Sequence, residues 1–181
     1  MSRLKAIDPA AATGKAKELL DAVKGKMGMV PNMTRVMATS PAVLESYLGF
    51  SGALSGGLLD AKTREKLALL TAQENSCDYC LSAHSAIGKM VGLNHDEILA
   101  GREGNGSDGK QSAALTLAKR VLDTKGRIGE GELSAARSAG LSDGEIAEVI
   151  AHVALNVFTN YFNVATDVDI DFPKVSHSQA A

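Results

Sequence analysis

The sequence predicts an all-α protein, and three observations support that fold class. Apolar residues recur at helical spacing along most of the 181-residue chain. Capping residues and glycines begin and end these segments. Alternating Val, Ile and Tyr runs are missing except over 168–172, and Pro173 argues against a central strand there. A thioredoxin-like fold is disfavoured because no βαβ pattern is found.

The first third of the chain predicts three helices. Residues 13–27 carry Ala, Leu, Val and Met side chains at helical spacing, with glycines near their end. A proline turn then precedes a short helix over 33–38. Ser40 is expected to cap the third helix, which opens with a proline and ends at Gly56-Gly57.

Two helices are predicted in the centre of the chain. Asp60 can cap a helix over 61–74, whose apolar residues are leucine and alanine. Asn75 or Ser76 can cap the next helix, over 77–91, and a glycine follows it directly. The sequence therefore predicts a break between the two helices rather than one continuous helix.

Three shorter helices and a loop are predicted next. Asn94 with Glu97 forms a capping-box pattern for a helix that reaches residue 100. Residues 101–109 have the most loop-like composition in the chain and predict a mobile connector. Helices over 110–124 and 130–139 follow.

The last predicted helix is the longest. Ser142 with Glu145 gives a second capping box, and the apolar stripe behind it continues to residue 166. His152 within this helix is expected to be a packed, hydrogen-bonded histidine. The broad apolar coverage of 156–163 predicts a core helix that also contributes to a subunit interface. Residues 177–181 are expected to fray.

Composition and charge exclude several classes of function. The formal net charge is −2, so the chain has no strong field to attract nucleic acid or an anionic membrane. No apolar run approaches the roughly 20 residues needed to span a bilayer. The first residues lack the apolar core of a signal peptide, and a cytoplasmic location is expected.

The chain has two cysteines, Cys77 and Cys80, separated by two residues. In a cytosolic chain such a pair indicates redox or metal chemistry. At about 100° per residue, Cys77, Cys80 and His84 fall within an arc of roughly 60° on one helix face. The helix N-terminus stabilises a thiolate, and His84 can accept a proton from Cys80. Asp78 opposes this effect through its negative charge.

Two other interpretations of the cysteines remain open. A cysteine in a helix is often only a small buried apolar residue. A structural zinc site needs a fourth ligand; Glu65 or Glu74 could serve, although a carboxylate is a poor match in softness, and the chain has no second Cys-x-x-Cys pair. We therefore favour redox chemistry over both.

The central segment resembles the AhpD-like alkylhydroperoxidase group of the carboxymuconolactone decarboxylase superfamily. The resemblance rests on Thr63-Arg64-Glu65, followed after ten residues by the motif that runs from Ser76 to His84, and on Gly92-Leu93. The Val30-Pro31-Asn32 turn, the Ser40-Pro41 helix start and the 156–173 tail resemble peroxidase-related members of the superfamily.

This resemblance implies an AhpD-like helical bundle that assembles as a homo-oligomer, a trimer or a hexamer. It implies one domain over 1–181, with an N-terminal helical extension (about 1–57), a Cys-x-x-Cys core (about 60–100) and C-terminal helices (about 107–168). It also implies reduction of hydroperoxides without haem, flavin or metal, at the expense of an unidentified dithiol or protein reductant.

The resemblance also assigns roles to five residues. Cys80 attacks the hydroperoxide and Cys77 resolves the resulting sulfenic acid into a disulfide. His84 occupies the position of the family's histidine, and Glu65 that of the glutamate that starts its proton relay. Tyr79 stands where the alkylhydroperoxidase proper has a histidine; it can donate a hydrogen bond but is a much weaker base. Disulfide exchange or redox sensing without peroxidase activity is the alternative function.

Overall fold

The structure, a computed structural model, describes residues 2–179 and confirms the all-α prediction. In this part of the chain there are nine α-helices, one 3-10 turn and no strand. The elements are α1 (Gly14–Met27), α2 (Asn32–Met37), α3 (Pro41–Ser55), α4 (Ala61–Glu74), α5 (Asp78–Met90), α6 (His95–Arg102), α7 (Gly109–Thr124), α8 (Glu130–Ser138), α9 (Asp143–Thr166) and the turn His177–Gln179.

Helix α4 lies at the centre of the bundle and packs against α5, α6, α7 and α9. Residues 66–72 of this helix are all buried, so it has no solvent-exposed face over those two turns. Five of these seven residues are leucine or alanine, and a helix that buries every side is enclosed by its neighbours, as its central position shows.

Two apolar clusters meet at α4. Leu69 and Ala72 belong to a cluster with residues of α1, α2, α3 and α5, whereas Leu67 and Leu70 belong to a cluster with α7, α8 and α9. Successive residues of one helix point in different directions, so α4 supplies side chains to both clusters. The helix that carries Glu65 is thereby fixed from two sides.

The N-terminus of α4 is capped as the sequence predicts. Asp60 Oδ1 accepts a hydrogen bond from the Thr63 backbone N–H at 3.0 Å, and Asp60 Oδ2 accepts one from the Thr63 hydroxyl at 2.6 Å. At α3, Ser40 occupies the N-cap position but its side chain makes no capping hydrogen bond. Ser40 is thus at the predicted position without the predicted contact.

The two caps give a matched test of stability. Asp60→Ala should lower the free energy of unfolding by about 1 kcal/mol, because backbone donors of α4 lose their acceptor. Ser40→Ala should change it by only a few tenths of a kcal/mol, since no capping bond is lost. Urea unfolding followed by circular dichroism measures both; equal losses in the two variants would contradict this account of α4.

The connector between α6 and α7 is anchored, although its composition predicts a mobile loop. Lys66 of α4 is buried, and its ammonium group donates to Ser107 Oγ at 2.7 Å and to Gln111 Oε1 at 2.8 Å. Gln111 Oε1 also accepts the Ser107 backbone N–H at 2.7 Å. A buried amine thus finds one partner in the loop and one in the first turn of α7, and in doing so fixes the loop to the central helix.

The chain after α9 returns across the start of α5. The backbone N–H of His177 donates to Asp78 Oδ1 at 2.8 Å, and His177 Nδ1 lies 2.7 Å from the same oxygen. The prediction that residues 177–181 fray is therefore wrong at His177; Ala180 and Ala181 lie outside the described residues. No helix within residues 2–179 is long and apolar enough to cross a membrane.

Candidate active site

The two cysteines lie at the start of α5 and are joined by a disulfide, with their Cα atoms 5.3 Å apart. Cys77 itself is the N-cap residue, and its Sγ accepts the backbone N–H of Cys80 at 3.3 Å. Both cysteines are almost fully buried, at 1% and 2% exposure. The sulfur of Cys77 therefore lies against the N–H groups of the helix start, where a negative charge is stabilised.

The predicted caps Asn75 and Ser76 do not begin α5. Asn75 is the C-cap of α4, and Ser76 has a left-handed backbone with φ of 53°. This turn reverses the chain between the two helices, so the break is where the sequence predicts it but the capping residue is Cys77.

The charge of Asp78 beside the cysteines is engaged by the C-terminal segment. Burial alone would raise the pKa of Asp78, but hydrogen bonds from the His177 backbone and ring outweigh it and hold the pKa below its ordinary value. The carboxylate thus stays ionised and is directed towards His177. Its opposition to a neighbouring thiolate is reduced by this contact.

Glu65 and His84 form a hydrogen-bonded pair between α4 and α5. His84 Nδ1 lies 2.8 Å from Glu65 Oε2, and the two side chains are only 23% and 16% exposed. Because Nδ1 is bound to the carboxylate, Nε2 is the ring nitrogen left for other partners. A carboxylate in this position fixes the orientation of the ring.

Cys80, Glu65 and His84 line one cavity of about 210 Å³. Cys77 is not part of its wall, so the two sulfurs differ in access to this space. The apolar part of the wall is formed by Met27, Pro31, Met33, Ala68, Ala83, Ile87, Leu155 and Phe172. Among the described residues, its further polar lining comes from Thr34, Tyr47, Ser51, Ser55, Arg64, Tyr79, His152, Asn156, Thr159 and Asn163.

Helix α9 contributes a buried polar face to this cavity. His152, Asn156, Thr159 and Asn163 are spaced by four, three and four residues, and all four are buried. Asn163 Nδ2 donates to Cys80 Sγ and to Met33 Sδ, both at 3.2 Å. Two buried atoms of this face, His152 Nε2 and Asn163 Oδ1, have no hydrogen-bond partner among the described residues.

This face is what sequence analysis misses. His152 is buried as expected, but its Nε2 is not hydrogen-bonded, and it lies in the cavity wall. The apolar coverage of 156–163 predicts a core or interface surface, yet Asn163 within this range contacts the sulfur of Cys80. The sequence does contain polar residues at helical spacing within an otherwise apolar helix. Their role can be inferred only when α5 is known to pack against this face of α9.

His152 should make stability depend on pH. Burial, followed by the charge of Arg64, lowers the pKa of His152 below the ordinary value of 6.5. Below that value the unfolded chain binds a proton that the folded protein excludes, so stability is lost as pH falls towards the folded pKa. His152→Gln should flatten this acid slope, by at most about 1.4 kcal/mol per pH unit.

The measurement is the free energy of unfolding in urea between pH 7.5 and 5.5. The same substitution at the exposed His95 is the control and should keep the wild-type slope. A slope in His152→Gln equal to that of the wild type would show that His152 is not the group responsible.

Tyr79 is held in a structural contact. Its hydroxyl accepts the backbone N–H of Met33 at 3.1 Å, and its ring packs edge-on against Phe172 with centroids 5.8 Å apart. Burial, with a further contribution from Asp171, raises the pKa of Tyr79 far above its ordinary value. The side chain therefore stays neutral and connects α5 to α2 and to the C-terminal segment.

Other acidic and metal-binding candidates lie outside the cavity. Glu74 pairs with Lys119 at 2.6 Å on the surface and is not part of the wall. Within residues 2–179, no group of three or more His, Cys, Asp or Glu side chains is arranged to hold a metal ion. The zinc interpretation thus finds no ligand set in this part of the chain.

Comparison with known sequences supports one family. Residues 41–124 match the model of the carboxymuconolactone decarboxylase family, which includes α3 to α7 and therefore the Cys-x-x-Cys motif. A 46-residue segment is 44% identical to an uncharacterized protein of Haemophilus influenzae. That alignment spans 25% of this chain and 41% of the length of the relative.

Comparison with solved structures extends the likeness to most of the chain. A peroxidase-related protein of Ralstonia eutropha, described as an alkylhydroperoxidase AhpD core, has a TM-score of 0.83 at 24% identity, over 94% of this chain and 92% of that one. A peroxidase-related protein of Silicibacter sp. TM1040 has a TM-score of 0.78 at 23% identity, with both chains fully covered.

A third solved structure is that of an enzyme with a different activity. The debrominase Bmp8, crystallised as a cysteine-to-alanine variant with 2,3,4-tribromopyrrole, has a TM-score of 0.76 at 18% identity, over 93% of this chain and 91% of that one. At these identities the likeness shows the fold, and proteins with this fold differ in the molecules they act on.

Proposed function

We propose that this chain, whose residues 41–124 match the carboxymuconolactone decarboxylase family and whose fold is AhpD-like, reduces organic hydroperoxides through Cys80 and Cys77. A dithiol or a protein thiol returns the enzyme to its reduced state. The observation that carries this proposal is the placement of Cys80, disulfide-bonded to Cys77, in the same cavity as the Glu65–His84 pair.

The first step consumes the hydroperoxide. The Cys80 thiolate attacks the terminal oxygen of R–O–O–H, so that an S–O bond forms and the O–O bond breaks. Sulfur loses two electrons and becomes a sulfenic acid, while the leaving alkoxide takes a proton and departs as the alcohol. His84, oriented by Glu65, is the group proposed to supply that proton through Nε2.

The second step closes the disulfide. The Cys77 thiol attacks Cys80–S–OH, an S–S bond forms and water leaves. The helix start holds the two cysteines at a separation suited to this bond, with Cα atoms 5.3 Å apart. An external dithiol then reduces the disulfide by exchange and is itself oxidised. All the electrons come from thiols, and the proposed cycle uses no cofactor.

Tyr79 acts in this proposal as a positioning residue. Its hydroxyl accepts the Met33 backbone N–H and its ring packs against Phe172. The side chain stays neutral because burial raises its pKa. The base that the alkylhydroperoxidase proper has beside the second cysteine is therefore not supplied by this residue. Proton transfer is left to the Glu65–His84 pair.

We propose in addition that the protein forms a homo-oligomer, a trimer or a hexamer. The side of α9 opposite its polar face exposes Ile150, Phe158, Tyr161 and Val164, which are 39–61% accessible. Large apolar side chains grouped on one helix face are typical of a protein–protein contact. Sedimentation of the intact chain tests this assembly.

Hydroperoxide consumption tests the proposed function. The reduced protein is mixed with tert-butyl hydroperoxide and dithiothreitol, and the remaining hydroperoxide is followed with time. Consumption of many equivalents per chain is the expected result. A Cys77–Cys80 disulfide that forms with a mild oxidant, with no hydroperoxide consumed, would contradict the proposal and favour disulfide exchange or redox sensing.

A further inference from the structure

Asn163 touches the sulfur of the proposed nucleophile, and half of its amide group is unpartnered. Its Nδ2 lies 3.2 Å from Cys80 Sγ and 3.2 Å from Met33 Sδ. Its Oδ1 is buried and accepts no hydrogen bond from any residue between 2 and 179. The side chain lies in the wall of the cavity that Glu65 and His84 also line.

The chemistry of its neighbours fixes which way this amide points. A disulfide sulfur and a thioether sulfur carry no hydrogen and can only accept. The NH₂ group must therefore face both sulfurs, and the oxygen must face away from them. The opposite orientation would place an acceptor against two acceptors and leave two donors without partners. A Cys80 thiolate keeps the same preference, so the orientation holds through the redox cycle.

An unpartnered acceptor beside a nucleophile is a site for a ligand with a donor. Buried polar groups are nearly always hydrogen-bonded, and exceptions call for an explanation such as a catalytic role. A ligand that donates a hydrogen bond to Asn163 Oδ1 has to carry an O–H or N–H group close to Cys80 Sγ. The terminal O–H of a hydroperoxide meets both conditions, because its oxygen is the atom that the thiolate attacks.

We propose that Asn163 is a catalytic residue that holds the nucleophile with one half of its amide and the hydroperoxide with the other. Nδ2 donates to the Cys80 thiolate, and Oδ1 accepts the terminal O–H, which places the terminal oxygen next to Sγ. As the S–O bond forms and the O–O bond breaks, the O–H proton stays on the oxygen transferred to sulfur. The second half of this inference rests on the proposed peroxidase function.

The thiolate contact is tested first, without any hydroperoxide. In a Cys77→Ser background, where Cys80 is the single thiol, the rate of alkylation by iodoacetamide is measured against pH. Removing a hydrogen bond to a charged group in Asn163→Leu should raise the pH midpoint by about one unit. Asn163→Asp should raise it further, because a carboxylate replaces the donor. The midpoint is independent of how easily the reagent reaches the sulfur.

Asn160→Leu is the matched control. Asn160 is buried on the same helix, and its Oδ1 accepts a hydrogen bond from Asn75 Nδ2, but it has no hydrogen bond to either cysteine sulfur among the described residues and does not line the cavity. The pH midpoint of Cys80 alkylation in Asn160→Leu should stay within about 0.2 pH unit of that of the background protein. This corresponds to less than a twofold change in the ionisation equilibrium of the thiol. Cooperative thermal unfolding of each variant confirms that it is folded, and Asn163→Asp, which preserves the shape, serves if Asn163→Leu does not fold.

The substrate contact is tested at a pH above all the midpoints, where Cys80 is a thiolate in every variant. Asn163→Leu should then form sulfenic acid from tert-butyl hydroperoxide about tenfold more slowly, since it lacks the acceptor. The rate of sulfenic acid formation should fall less in Asn163→Asp, because this variant keeps an acceptor oxygen in place.

The outcomes separate the two proposals. An unchanged alkylation midpoint in folded Asn163→Leu and Asn163→Asp overturns the inference, whether or not the wild type consumes hydroperoxide. Shifted midpoints in a protein that consumes none support the thiolate contact, and contradict the hydroperoxide contact together with the proposed function. Equal rates of sulfenic acid formation at high pH in the Cys77→Ser background protein and in the same protein with Asn163→Leu overturn the substrate contact alone.

Discussion

Cys80→Ser is expected to abolish hydroperoxide turnover, by at least about 10⁴-fold, since it removes the nucleophile itself. A serine hydroxyl neither ionises near neutral pH nor accepts the transferred oxygen. Cys80 is the cysteine in the cavity wall and the one that Asn163 contacts. Hydroperoxide remaining after mixing with the reduced protein and dithiothreitol measures the effect.

Cys77→Ser should behave differently and provides the contrast. Its Cys80 can still be oxidised once, so about one equivalent of hydroperoxide should disappear rapidly before turnover slows. The sulfenic acid then has no resolving thiol and should be trapped by dimedone. A one-equivalent burst in Cys80→Ser, with no reaction in Cys77→Ser, would show that the roles of the two cysteines are reversed.

Breaking the Glu65–His84 pair should have the second largest effect. Glu65→Gln and His84→Ala are each expected to lower the rate of hydroperoxide reduction by 10²–10⁴-fold, the usual contribution of a positioned proton donor. The contact of 2.8 Å means that the two residues act as one unit. The double variant should therefore be about as slow as the slower single variant, and not as slow as the product of both effects.

A surface glutamate provides the control for this pair. Glu74→Gln removes an equivalent carboxylate that binds Lys119 outside the cavity, and its rate should stay close to that of the wild type. Multiplicative losses in the double variant would contradict the relay, because independent residues contribute independently.

The fold could be predicted from sequence wherever the signal was local. Asp60, the Asn94–Glu97 box and the Ser142–Glu145 box each accept or donate the hydrogen bonds that their patterns predict. These contacts join residues three apart, so no knowledge of the rest of the chain is needed. The Cys77–Cys80 pair was likewise found from spacing on one helix.

Contacts between distant segments could not be predicted in the same way. Nothing in the sequence around His177 indicates Asp78, which lies 99 positions earlier. Asn163 and Cys80 are 83 positions apart, and their contact depends on how α9 crosses α5. The resemblance placed Glu65 near His84, although spacing alone gives no reason to prefer Glu65 over Glu74.

The central position of α4 has a consequence for the lifetime of the site. Glu65 stands on the helix that both apolar clusters share, and Leu67 and Leu69 beside it belong one to each. Local opening of either half of the bundle leaves α4 held by the other half. Separation of Glu65 from His84 by loss of α4 thus requires nearly complete unfolding, and amide protons of this helix should exchange at the slowest rates in the molecule.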